Sequence, residues 1–299
     1  MVRAFLLVAF KVRTINTCAK APGCVTTDAM SSDASATKVA PVTYDKLTVV
    51  AIAALACIVE DVLHEALGHG GMALLSGARH LTVSTVALQS DFDTRWIAAA
   101  GPLVSLISGG IFWLVLLKPQ RYRPTTRYFL ILAMAGGLFS GTGYFFFSGV
   151  SNFGDWAAVI QGWQPHWLWR VGLVVVGMIT YYASMLLVAA KLGPFRRNDD
   201  DPRKMRTLCW LPYFSEGILA GIAGLFNPAG MFYVFASALA STLGGNAGML
   251  SLPSMLRRPH PTDEEPAGSL PRSPAWIAGG AIASLIFIFV LGRGITWNR

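Results

Sequence analysis

The run Glu60-Asp61-Val62-Leu63-His64-Glu65-Ala66-Leu67-Gly68-His69-Gly70 sets three carboxylates and two imidazoles at the far end of an apolar stretch that begins near Leu47. Such groups are costly inside a hydrocarbon layer, so they face protein, a cavity or a ligand. Their spacing is more telling than their number. His64 and His69 are five residues apart, which on a regular α-helix turns them about 140° from one another, against about 40° for a separation of four. A one-residue bulge of the π type, or a break at Gly68, brings them to one face, and such bulges recur at functional sites. Without a bulge, Glu60 with His64, Asp61 with Glu65 and Glu65 with His69 still share a face at a spacing of four. The run therefore reads as a metal centre or as a buried polar network that locks helices together.

Outward from this run, composition sets the class. The 299 residues are 54% hydrophobic and only 13% charged, outside the balance of a soluble domain. Apolar stretches long enough to cross a bilayer lie at about 47–67, 96–117, 128–150, 167–190, 213–240 and 274–292. The expected fold is an all-α polytopic membrane protein of about six transmembrane helices. After Gly77 the segment Arg79 to Gln89 alternates and is rich in Val and Thr, which predicts a small β-hairpin behind the first helix. Counting from residue 47, His64 lies about 25 Å along its helix, in the half of the membrane away from the start.

Of the 24 Lys and Arg, eighteen fall in 1–46, 118–127, 191–212 and after 292, in alternate connections of the six-helix reading. The positive-inside tendency then places both termini in the cytoplasm, in a multi-pass protein of a bacterial inner membrane. Four regions follow: a cytoplasmic tail or targeting segment at 1–46, a core at 47–190, a cytoplasmic loop at 191–212, and C-terminal membrane helices with an outer loop, including 241–273, at 213–299. The basic residues lack interleaved aromatics, so nucleic acid is excluded as a partner, whereas membrane lipids are a partner throughout. Cys18, Cys24, Cys57 and Cys209 are too scattered for a disulfide framework or a zinc ribbon.

The run His64-Glu65-Ala66-Leu67-Gly68-His69, continued by Gly70 to Arg79 with its closing Gly77-Ala78-Arg79, resembles the active-site helix of the site-2-protease-like intramembrane zinc metallopeptidases. One residue more separates Glu65 from Gly68-His69 than in that family's motif. The resemblance implies that His64 and His69 bind Zn2+, that Glu65 activates water as the catalytic base, and that the substrate is a membrane protein or peptide. It also implies a role for the hairpin in holding extended substrate, and it matches Ala100-Gly101-Pro102, where the family usually has Asn in place of Ser105.

Asp155, in Ser151-Asn152-Phe153-Gly154-Asp155-Trp156, is the candidate third metal ligand, since helix alternation returns it to the side of His64 and a carboxylate beside two imidazoles leaves a fourth position for water. The same residue would also serve as an N-cap. Glu60 and Asp61 are candidates to orient the imidazoles. His166 and the neighbouring tryptophans read as an interfacial belt, Glu216 as a structural group near the cytoplasmic end, and Asn227 as an amide able to orient a carbonyl. The expected activity is zinc-dependent peptide hydrolysis. A non-peptidase membrane hydrolase using the same metal-bound water, and an inactive scaffold or transporter, are the alternatives.

Overall fold

The computed structural model describes residues 43–196, 202–227, 230, 234–256 and 268–298. The cytoplasmic tail or targeting segment expected at 1–46, with Cys18 and Cys24, lies almost wholly outside these residues. Six helices are long and apolar enough to cross a membrane: α1 (Lys46–Leu75), α2 (Arg95–Val115), α3 (Pro124–Ser151), α5 (His166–Phe195), α6 (Arg203–Leu225, opening at Pro202) and α9 (Pro274–Leu291). Between them lie the short α4 (Asp155–Val159), α7 (Val234–Gly245) and α8 (Gly248–Met255). The protein is an integral, multi-pass membrane protein, as composition predicts.

Local sequence starts each helix where it begins. The Asp45 carboxylate accepts the Thr48 N–H at 2.9 Å at the head of α1, and Thr94 accepts the Ile97 N–H at 3.2 Å at the head of α2. Pro124 and Pro274 occupy first-turn positions, where a missing N–H costs nothing. The main core forms around α3, whose Tyr128, Ile131, Met134 and Phe139 are fully buried against Val49 and Ile52 of α1, Leu192 of α5 and Leu208 of α6. By contrast, the most apolar stretches of α5 and α9 are only 17% and 11% buried within the protein, which leaves their side chains for lipid.

The expected hairpin is present as β1 (His80–Val83) and β2 (Leu88–Ser90), with Leu81 opposite Ser90. A third strand, β3 (Ile295–Asn298), pairs antiparallel with the other edge of β1, Leu81 facing Trp297. The sheet order is β2-β1-β3.

This third strand corrects the expected topology. At the other end of the bundle Tyr44 bridges Leu270, and the Ser273 N–H donates to Thr48 Oγ1 at 3.0 Å, so α9 starts beside the start of α1 and runs parallel to it. The first and last described residues therefore lie at opposite ends of the bundle, not on one side. The reversal is made by α7 and α8. Trp210 donates to the Leu250 carbonyl at 3.1 Å, Asn246 to Glu216 at 3.0 Å, and Gly217 opposes Leu243, so the chain returns antiparallel along α6. The stretch expected as an outer loop is thus in part an additional pass through the bundle. Its far end, Leu256, accepts a hydrogen bond from Arg196, while Asp263-Glu264-Glu265 lies outside the described residues. The stretch expected as a cytoplasmic loop at 191–212 also contains the start of α6, which opens at Pro202 and buries Met205, Leu208 and Cys209 in the core.

Candidate metal centre

The backbone of α1 changes pitch where the chemistry sits. Residues Val62–Gly70 form a π-helical segment, and the Gly71 N–H reaches the Ala66 carbonyl five residues back. The wider turn stacks residues five apart, which absorbs the additional residue between His64 and His69. Their rings meet edge to face with centroids 4.8 Å apart and Nε2 atoms 3.2 Å apart.

Asp155 completes the cluster from α4. Its Oδ2 lies 3.4 Å from His64 Nε2 and 3.5 Å from His69 Nε2. Gly154, at φ +85, takes the N-cap position and lets the chain turn sharply into this helix; Asp155 itself makes no cap hydrogen bond, so the N-cap alternative is set aside. Among the described residues, His64, His69 and Asp155 are the one group of three or more such side chains whose donor atoms lie close enough together for a metal ion.

Hydrogen bonds on the far sides of the rings fix where the protons are. His69 Nδ1 lies 2.7 Å from the Ile97 carbonyl, which only accepts, so Nδ1 carries the proton. His64 Nδ1 lies 2.9 Å from Ser105 Oγ, and that hydroxyl donates to Glu60 Oε1 at 3.0 Å, which leaves it to accept from His64. Both Nε2 lone pairs then point at each other and at a carboxylate oxygen. In the neutral imidazoles three acceptors at this distance repel unless a metal ion or a proton sits among them.

The spacing suits a metal. A tetrahedral site with bonds of roughly 2.0–2.1 Å separates its donor atoms by about 3.3–3.4 Å, close to the three distances observed. Gly101 of α2 forms the floor: a Cβ there would lie 2.8 Å from His64 Nε2 and closer still to the His69 ring. Gly68 meets the same glycine, and its own Cβ would come within 2.7 Å of the Gly101 Cα, so the crossing of α1 and α2 is set by two residues without side chains. When no metal is bound, a proton on an Nε2 supplies that positive charge: burial alone would raise the Asp155 carboxyl, but the charge and hydrogen bonds that protonated His69 and His64 present to it prevail and hold it below the usual carboxylate range.

No known protein family, curated protein or solved structure matches this chain. The metal-binding reading therefore rests on the geometry of these side chains.

Glu65 is 8% exposed, and its Oε2 has no hydrogen-bond partner. It lies between two cavities. On one side is an open cleft of about 420 Å³ lined by Glu65, His69, Asp155, Tyr144 and the β2 residues Leu88, Gln89 and Ser90. On the other is a small chamber of about 40 Å³ lined by His64 and Glu65 together with Glu60, Asp61 and Glu216.

The other sequence candidates fall as follows. Glu60 reaches His64 through Ser105, and Asp61 lines the chamber without bonding either imidazole. His166 Nε2 pairs with Asn152 Oδ1 at 2.9 Å, away from the cluster. Asn227 is buried but lines neither cavity, and Pro228 beside it lies outside the described residues. Glu216, expected near the cytoplasmic end, sits at the depth of the cluster because α6 starts eleven residues before the apolar run at 213 suggested. Two residues escaped as functional. Ser105 enters the sequence reading only as the position where the resembled family usually has Asn, although its place four after Gly101 on one helix face was a usable signal. Tyr144, whose ring stacks on His64 at 5.2 Å and 27°, carries no motif.

Proposed function

We propose that the protein is a membrane-embedded metallohydrolase in which His64, His69 and Asp155 hold Zn2+ and Glu65 is the catalytic base, acting on a peptide or membrane-protein substrate. The observation that carries this reading is the convergence of two imidazole Nε2 atoms and one carboxylate oxygen, all three acceptors, beside a buried carboxylate with an unpartnered oxygen.

A bound zinc ion supplies a water of lowered pKa and polarises a carbonyl. Glu65 takes a proton from the attacking water and returns it to the leaving amine, its unpartnered oxygen leaving it free for that transfer. Ser105 and the Ile97 carbonyl hold the imidazoles in the tautomer that presents Nε2. The outer edge of β2 supports a peptide substrate, because it lines the cleft and extended chain adds to an open strand edge; the outer edge of β1 is taken by β3. The arrangement agrees with a divergent member of the site-2-protease-like group, with 47–190 as its core. The gathering of Arg121, Arg123, Arg127, Lys191, Arg203 and Lys204 toward the Tyr44 end supports a cytoplasmic location for that end in a bacterial inner membrane, with the centre nearer the opposite face.

A second reading has its own observation. An apolar groove of about 770 Å³ between α3, α5 and α7 reaches the cluster at Tyr144, which suits a lipid or other long-chain substrate of the same metal-bound water. The test is metal content together with hydrolysis of fluorogenic peptides and of phospholipid vesicles. A His64→Ala, His69→Ala protein is expected to lose stoichiometric zinc. Glu65→Gln is expected to keep zinc while losing roughly 10²–10⁴ in rate. Turnover of vesicle lipid without peptide turnover selects the second reading, and unchanged metal in the double variant rejects both.

A further inference from the structure

Three helix ends meet near Tyr44: the close of α2, the start of α3 and the close of α5. Lys191 of α5 donates from Nζ to the Leu116 carbonyl, just past α2, at 3.0 Å. Arg127 of α3 holds its guanidinium carbon 5.8 Å from the centre of the Phe195 ring, and the Phe195 carbonyl accepts from the Tyr44 hydroxyl. The two cations are close enough for their charges to repel.

No acid answers them. Residues 94–154 and 156–198, which take in the whole of α2, α3 and α5, contain no Asp or Glu. Among the described residues neither cation forms an ion pair, and the nearby Asp45 carboxylate is engaged with the N–H and hydroxyl of Thr48. Lys191 has a structural explanation, since a cation in the last turn of one helix that binds the terminal carbonyl of another is favourable by itself. Arg127 has no such explanation. It is the fourth residue of α3, at the end where the helix dipole is already positive, and no acid stands in that first turn. Its Nε is shut off from solvent without a hydrogen-bond partner. The Phe195 ring attracts the charge but supplies no lone pair for the five N–H donors of the guanidinium. A half-buried cation in this setting calls for an anion.

We infer that Arg127 and Lys191 form a binding site for the phosphate of an anionic membrane lipid, in the leaflet at the Tyr44 end. Phosphate oxygens accept from the fork of an arginine, and Lys191 keeps two protons beyond the one given to Leu116. Arg127 lies one turn inside a membrane-spanning helix, where lipid headgroups border the hydrocarbon, and basic pockets between such helices take anionic headgroups. Arg121 and Arg123, on the connection from α2 to α3, are exposed and add positive potential without enclosing a ligand.

The experiment measures binding of radiolabelled phosphatidylglycerol to the full-length protein in mixed detergent micelles, with unlabelled phosphatidylglycerol, phosphatidylcholine and inorganic phosphate as competitors. Wild type is expected to bind the label saturably and to release it to unlabelled phosphatidylglycerol, but not to equal concentrations of the other two. Arg127→Gln is expected to weaken binding roughly 10- to 100-fold, the size of one charged hydrogen-bonded contact. Arg121→Gln, which changes an exposed cation, is expected to weaken it no more than about fivefold. Equal losses in the two variants mean a diffuse basic surface and overturn the site, as does unchanged binding in Arg127→Gln. Release by inorganic phosphate as complete as by phosphatidylglycerol overturns the lipid as occupant. If Arg127→Gln does not fold, wild type decides: equal release by phosphatidylcholine rejects the proposal.

Discussion

The two sides of Glu65 solve the problem of polar groups in a membrane differently. Toward the cleft, every donor atom has a backing contact: Ser105 behind His64, the Ile97 carbonyl behind His69, and Gly154 turning Asp155 inward. Toward the chamber, Glu60 accepts from the Ser105 hydroxyl and Glu216 from the Asn246 amide, both neutral donors. The first side is arranged around a point, the second around a volume. The contrast teaches that a fixed cation requires rigid, directional support from several elements at once, whereas a buried carboxyl group can be accommodated by a single neutral donor.

Breaking the point should have the largest effect. Gly101→Ala drives a Cβ between the two imidazoles and is expected to lower zinc affinity by at least about 100-fold, of the size seen when supporting partners of a metal are lost. Gly110→Ala on the same helix meets open space and serves as the control. Competition titration against a chelator measures both, and equal affinities would mean that the imidazoles do not converge as described. Next, Ser105→Ala cuts the hydrogen-bonded link from His64 to Glu60, which joins the two sides. Zinc affinity is expected to fall roughly 10- to 100-fold while the fold is kept, as circular dichroism would report.

The smallest effect concerns acid stability without metal. The Asp155 carboxyl is held below its usual range in the folded protein, so the folded form binds fewer protons than the unfolded one through that range. The contribution is present above the unfolded value near about 4 and is lost as pH falls through the folded value. Metal-free wild type should therefore lose on the order of 1–2 kcal/mol on acidification that Asp155→Asn does not lose. Thermal unfolding in detergent at several pH values checks this, and parallel curves would remove the ion-pair account of Asp155.

Much of this was legible in the sequence, and the rest was hidden for identifiable reasons. Long apolar runs announced the six helices, and the interval of five between His64 and His69 made a π turn the natural way to unite them. Asp155 was readable because helix alternation is a topological constraint that needs no contact information. The return pass of α7 and α8 was not, since Gly244, Gly245 and Pro253 give it the composition of a loop while its structure comes from packing on α6. Strand β3 was invisible for another reason. Four residues, Ile295-Thr296-Trp297-Asn298, carry too little periodicity to announce a strand, and what makes them one is a partner more than two hundred residues earlier. Missing these two elements inverted the inferred side of the last described residues and misjudged the depth of Glu216.

That long-range pairing bears on biosynthesis. Helix α1, with both histidines, is made more than two hundred residues before the sheet beside it gains its third strand at residues 295–298. Until then β1 offers a free edge at the mouth of a half-built centre, and closing it requires one of the longest contacts in the chain, of the kind that forms late. Completion of the sheet is thus timed by translation: the clustered side chains of α1 come first, and the strand that seals β1 follows more than two hundred residues later.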